Sequence, residues 1–230
     1  MGTPILIPAA GSGKRMGADR NKLLLPLLGK PILQWTLETA LAADVINWIG
    51  VMAQPLDYPA FEQIFADIAK TQPITKPLQL IQGGATRQAS VFNGLQALPP
   101  EATTVLIHDG ARCLVTADLL RRCDQALAQW QGFIAAVPVK DTIKVVHQET
   151  VTDTPNRDLL WAAQTPQGFD VAALKSAHQQ ALTQGWAVTD DAALFEKVGL
   201  AVKIVMGEET NLKVTTPQDL LLAKFILEQR

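Results

Sequence analysis

Up to residue 137, short apolar runs alternate with stretches whose apolar residues recur every three or four positions. Ile5-Leu6-Ile7, Trp48 to Ala53, Leu78 to Gln82, Thr104 to His108 and Phe133 to Val137 predict strands. Ile32 to Ala43, Tyr58 to Ala69, Ala89 to Leu98 and Ala117 to Trp130 predict helices. In the second of these, Phe61, Ile64, Phe65 and Ile68 share one face. Pro31 suits the entry to the first helix, and Pro99-Pro100 stops the third. Strands and helices in this order predict an α/β, Rossmann-like fold with a mostly parallel central sheet flanked by helices. Ligands of such sheets bind outside the carboxyl ends of the strands.

The rhythm changes at Pro138. Lys140 to Thr152 is rich in β-branched residues and has no helical period, which predicts one limb of a protruding β-arm. The chain is expected to return through Leu159 to Gln164, so the arm covers about residues 138–164. A lone hairpin is marginal in water, and the arm is therefore expected to pair with a second copy of the chain as a homodimer. Helices are then predicted over Val171 to Gln184 and Asp191 to Val198, a strand over Ala201 to Val205, and a closing helix over Gln218 to Glu228. The reading is of one domain, residues 1–230, carrying this arm.

Candidate chemistry gathers where the predicted strands end. Pro8-Ala9-Ala10-Gly11-Ser12-Gly13 follows the first strand, with Lys14, Arg15 and Lys22 close behind. Small residues let backbone approach a ligand, and successive N–H groups can cradle an anion. A P-loop is excluded, because Pro8 stands where its first glycine belongs and Arg15 where its Ser or Thr belongs. A dinucleotide fingerprint is excluded by Met16 at its third glycine. What remains is a triphosphate cradle of another kind. A second glycine loop, Gly83-Gly84-Ala85-Thr86-Arg87 with Ser90 beyond it, suits a flat base, although a plain strand-to-helix connection with Ser90 exposed reads equally well. Asp109 and Arg112 follow the most apolar strand. Asp109 suits a ribose or substrate hydroxyl or a hydrated magnesium, Arg112 a phosphate, or the two simply pair. His108 reads as a packed strand end. Asp190-Asp191 read as a helix-capping pair, and Lys213 as either an exposed cation or a phosphate ligand.

Composition narrows the class. The chain is 48% hydrophobic and 18% charged, with net charge −2, which disfavours nucleic acid or an anionic membrane as partner. No run is long enough for a membrane span, and no leader is expected before the first strand. Two cysteines, Cys113 and Cys123, form no CxxC pair, so a reducing, cytoplasmic setting without a structural metal site is expected.

Taken together, Pro8-Ala9-Ala10-Gly11-x-Gly13-x-Arg15-Met16, Lys22, Gly84-x-x-Arg87-x-x-Ser90, His108-Asp109-x-Ala111-Arg112, Asp141-Thr142-x-Lys144, Trp161-x-x-x-Thr165-Pro166-Gln167, Thr189-Asp190 and Asn211-x-Lys213-Val214-Thr215 resemble the 2-C-methyl-D-erythritol 4-phosphate cytidylyltransferase family of non-mevalonate isoprenoid synthesis. The resemblance runs from Ile5 to about Phe225. It implies transfer of CMP from CTP to methylerythritol phosphate, with magnesium bound mainly through the CTP phosphates. Ala9, Ala10, Gly11, Gly13, Gly84, Ser90 and Asp109 would hold the nucleotide, and Arg15, Lys22 and Lys213 the triphosphate in the reaction. Asp109, Arg112 and Thr142 would face the acceptor, with Arg157 and Thr165 supplied by a partner subunit. Ribitol 5-phosphate and other polyol phosphates remain open as acceptors, and a non-catalytic nucleotide sensor is the more distant alternative.

Overall fold

The structure, a computed structural model, describes residues 2–11 and 21–230, so the expectations for Gly13 and Arg15 lie outside the described residues. The order of elements begins with β1 (Thr3–Pro8), a 3₁₀ turn (Lys22–Leu24), β2 (Pro26–Leu27), β3 (Lys30–Pro31), α1 (Ile32–Ala42) and β4 (Ile46–Ala53). A 3₁₀ turn (Pro55–Asp57), α2 (Tyr58–Thr71), β5 (Leu78–Gln82), α3 (Arg87–Gln96), β6 (Thr104–Ile107), α4 (Ala117–Leu127) and β7 (Gly132–Pro138) follow. Then come β8 (Val145–His147), β9 (Thr150–Asp153), a 3₁₀ turn (Arg157–Leu159) and β10 (Trp161–Asp170). The chain ends through α5 (Val171–Gln184), α6 (Ala192–Lys197), β11 (Lys203–Met206) and α7 (Pro217–Glu228).

Seven strands form one sheet in the order β11-β7-β10-β6-β1-β4-β5. Only β10 runs antiparallel to its neighbours β6 and β7; the other pairings are parallel. Both faces of this sheet are covered, which is why its central strands are apolar throughout rather than alternating. Ile5 and Ile7 pack with Leu33 and Leu37 of α1 and with Leu119 of α4. Leu6 faces the other way, toward Val91 and Leu95 of α3.

The predicted arm is corrected in two respects. Lys140 to Thr152 is not one limb: the chain turns inside it, at Gln148 and Glu149, whose φ values are 46° and 64°. β8 and β9 on either side of that turn make a small hairpin of their own. The return limb is a ten-residue strand of the main sheet. Its sequence, WAAQTPQGFD, hides this, because Pro166 cannot donate to a ladder. The pairing of β10 with β7 shifts register between Ala163 and Gln167, where that proline sits. The antiparallel register matters for the site. Gln167 pairs with Ile107 of β6, so two residues further on Thr165 falls opposite Asp109.

Candidate active site

A cavity of about 620 Å³ opens at the carboxyl ends of β1, β4, β5 and β6. Ala9, Ala10, Gly11, Lys22, Gly84, Ser90, Asp109 and Lys213, all expected from the sequence, line it. Arg112, Thr142, Arg157 and Thr165 do not line it.

One wall is backbone. A Cβ on Gly83 would fall 2.5 Å from the Cβ of Ala10, so the two small-residue loops touch only because glycine stands there. Ser90 is buried rather than exposed: its hydroxyl accepts from the Gly84 amide at 3.0 Å and donates to the Thr86 carbonyl at 2.9 Å. Thr86 in turn caps α3 by accepting from the Ala89 amide at 3.1 Å, a contact worth about 1 kcal/mol. Gln54 donates to the Gly84 carbonyl at 3.2 Å. Ala9 is bonded at both ends, from its amide to the Met52 carbonyl at 2.8 Å and from Asn21 to its carbonyl at 2.6 Å. Among the described residues the amides of Ala10 and Gly11 have no such partner, and both residues line the cavity.

The facing wall is charged and centres on Asp109. Lys213 Nζ lies 2.7 Å from its carboxylate, Arg87 Nε 3.6 Å and Arg112 Nε 3.8 Å. Burial alone would raise this carboxyl; Lys213, Arg87 and Arg112 outweigh it and hold the group at about 2. The three cations come from three places in the chain: the loop after β11, the start of α3 and the loop after β6.

Arg87 also reaches the fully buried Asp191 at 2.7 Å, and His178 Nε2 approaches the same carboxylate at 3.2 Å. Burial opposes the Arg87 charge, but Asp191 and Asp109 together raise its affinity for the proton. Asp190-Asp191 is therefore not a capping pair. Asp190 alone caps, accepting from the Ala193 amide at 3.1 Å, while Asp191 is a buried counter-ion.

Beneath Asp109, a chain of hydrogen bonds settles the state of His108. The Asp109 amide donates to Thr165 Oγ1 at 3.0 Å, and that hydroxyl lies 3.1 Å from His108 Nδ1. His108 Nε2 lies 3.2 Å from the Arg112 carbonyl, which can only accept, so Nε2 carries the proton and Nδ1 receives one from Thr165. Burial pushes this imidazole down to about 4. It is a structural residue, as expected. Thr165, expected from a partner subunit, is buried in its own chain at the place the β10 register assigns. Arg112 is largely spent on backbone, donating to the Asn211 carbonyl at 2.7 Å and the Ala163 carbonyl at 3.3 Å. Its buried Nε has no hydrogen-bond partner among the described residues.

Lys22 joins the walls. Its Nζ donates to the Val214 carbonyl at 2.8 Å, and the Val214 amide donates to the Ala111 carbonyl at 2.9 Å. Thr142 and Arg157 sit on the exposed arm, where Arg157 donates to the Lys140 carbonyl at 2.8 Å. Asn21 and Gln54 line the cavity without having been singled out from the sequence, and Thr215 had been quoted only within the family pattern. Gln54 was within reach of the rule that ligands sit at carboxyl ends, since it directly follows β4; Asn21 had no such signal.

The donor set bears on magnesium. Among the described residues that line the cavity, Asp109 supplies the carboxylate, and three cations already face it. Such a set suits an ion that arrives on nucleotide phosphates and keeps its waters, as magnesium does, rather than one held in a protein cage.

A backbone wall facing a cationic one, with Lys22 between them and the nearby histidine locked neutral, suits the handling of phosphates, and with this fold it defines a nucleotidyltransferase. Comparison with known proteins narrows the class. The chain belongs to the family of 2-C-methyl-D-erythritol 4-phosphate cytidylyltransferases, whose pattern it matches over residues 3–229. It is 63% identical to the protein of that name from Synechocystis sp., over 98% of this chain and 97% of the relative. The protein of the same name from Thermosynechococcus vestitus is also 63% identical, over 98% and 95%. Among solved structures, 4-diphosphocytidyl-2C-methyl-D-erythritol synthase from Anaerococcus prevotii superposes with a TM-score of 0.84 at 34% identity, covering 100% of this chain and 99% of the other. The cytidylyltransferase from Thermus thermophilus gives 0.80 at 32% identity, covering 99% and 100%.

Proposed function

We infer that this chain transfers the cytidylyl group of CTP to the phosphate of 2-C-methyl-D-erythritol 4-phosphate, giving 4-diphosphocytidyl-2-C-methyl-D-erythritol and pyrophosphate. The observation that carries the reading is the convergence of both glycine loops, Lys22, Lys213 and Asp109 on one cavity. The base lies against Ala9, Ala10, Gly11 and Gly84, with Ser90 acting through the loop it holds. Lys22 and Lys213, with Arg15, take the triphosphate. Asp109 accepts from a hydroxyl of ribose or acceptor, and Arg112, buried behind it, holds that carboxylate ionised and in place.

The acceptor's phosphate oxygen attacks the α-phosphorus in line, and pyrophosphate leaves. A phosphate monoester has its second pKa near about 6, so the nucleophile is already largely deprotonated at neutral pH. A general base is not needed, and buried His108 is not placed to be one. The barrier is repulsion between anions and charge building at phosphorus, so fixed cations and positioning supply the rate. Magnesium, when bound through the CTP phosphates, adds further neutralisation of that charge. Lys213 is held by Asp109 and is handed to the triphosphate as CTP enters.

The arm supports a homodimer. Residues 140–153 are all exposed, including Val145, Val146 and Val151, and a partner subunit would cover them and receive Thr142 and Arg157 near its cavity. Pyrophosphate release measured for each of four NTPs against methylerythritol phosphate and ribitol 5-phosphate tests the activity. CTP with methylerythritol phosphate is expected to dominate; equal turnover of ribitol 5-phosphate would overturn the acceptor, and preference for another NTP the nucleotide.

A further inference from the structure

We propose that Asn21 is a positioning residue for Lys22, an inference that rests on the catalytic reading of Lys22 given above. Asn21 is only 4% exposed although it lines the cavity. Its amide nitrogen donates twice, to the Ala9 carbonyl at 2.6 Å and to Asp57 Oδ2 at 2.8 Å. Its amide oxygen accepts from the Leu23 amide at 3.1 Å and so caps the 3₁₀ turn that carries Lys22.

Both side-chain hydrogens are thus committed within the protein. Asn21 has no donor left to offer a nucleotide, so it acts through its neighbours. What it joins is specific. Ala9 is the floor under the nucleoside and lies at the end of β1. Asp57 ends the 3₁₀ turn after β4. Lys22 is the next residue along the chain. A single buried carboxamide therefore sets the distance between the backbone wall and Lys22, which joins that wall to the cationic one. From the other side, Val214 holds Lys22 by its ammonium group. Fixed geometry is what makes a cation effective at phosphorus, and a displacement of about 1 Å costs up to roughly 10²-fold in rate.

The test uses Asn21→Asp in the full-length protein. This change keeps the volume and the oxygen that caps the turn, but it removes both donor bonds and sets a carboxylate against the Ala9 carbonyl and Asp57. The expected result is a fall in kcat of about ten- to a hundredfold, with a smaller change in KM for CTP, since Ala9 keeps its amide bond to Met52 and the Gly84 loop is untouched. Asn21→Asp combined with Asp57→Asn restores one of the two lost bonds with reversed polarity and is expected to recover part of kcat. Melting temperature is read on every variant. A variant that melts lower but turns over at the wild-type rate overturns the proposal, as does a loss confined to KM or a double variant no better than the single one. Wild-type turnover with CTP and methylerythritol phosphate is the control that bears on the functional reading. The ratio of variant to wild type bears on Asn21 alone.

Discussion

The wall around Asp109 and the arm around Val146 are both polar-rich departures from the apolar sheet, yet they are built by opposite means. Around Asp109, the carboxylates are buried and each is answered: Lys213, Arg87 and Arg112 face one, and Arg87 and His178 face the other. In the arm every residue from 140 to 153 is exposed, Val146 at 57%, and the hairpin is closed by its own ladder. Ion pairs gain strength as water is excluded, and the cost of leaving one unanswered grows with them. The cavity wall is therefore tied together by ion pairs of its own. The arm is held by its own ladder and, at its base, by Lys140 on Glu209 and Arg157 on the Lys140 carbonyl.

The sharpest way to break this contrast is to remove an answer from the buried wall. Arg87→Met leaves Asp191 fully buried with only His178 beside it, and a loss of about 3–5 kcal/mol is expected by urea unfolding. A loss below about 1 kcal/mol would mean that the pair behaves like a surface contact. Lys22→Ala should spare the fold and cost about 10²–10³ in kcat, read as pyrophosphate release beside an unchanged circular dichroism spectrum. Wild-type turnover in that variant would remove Lys22 from the chemistry.

Acid sharpens the comparison further. His108 is held at about 4 in the folded chain, against about 6.5 when unfolded. Its folded value is depressed, so its contribution is complete above the unfolded value and is lost as pH falls toward the folded one. Between about 6.5 and 4 the unfolded chain takes a proton that the native chain refuses, and stability should fall by roughly 3 kcal/mol in all. The lowered carboxyls of Asp109 and Asp191 act in the same direction only at still lower pH. Urea midpoints at pH 7 and pH 4.5 read the effect, and His108→Asn should flatten it. The smallest effect belongs to the arm. Val146→Asp should change unfolding free energy by less than about 0.5 kcal/mol while shifting the sedimentation coefficient from dimer to monomer. Unchanged sedimentation would separate the arm from assembly.

Most of the fold was legible because periodicity reports what each residue faces. Leu78–Gln82 and Val171–Gln184 have the bounds that their patterns predict, and β1 and β6 are apolar because both of their faces are covered. The two small-residue loops and the charges at strand ends were legible for a related reason: close backbone approach needs glycine, and strand ends hold ligands. Where a strand's role depended on its partners, the pattern failed. Nothing local in WAAQTPQGFD marks a central strand; its place comes from the ladders on either side and from a register shift at Pro166.

By itself the sequence determined the βα rhythm, the two small-residue loops and the family. The tertiary structure alone decided how polar side chains pair. It placed Thr165 under its own Asp109, made Asp191 a counter-ion rather than a cap, and set Asn21 between two walls. Apolar burial follows local period, whereas a hydrogen bond needs one particular partner, and those partners lie far apart along the chain, brought together only when the sheet closes.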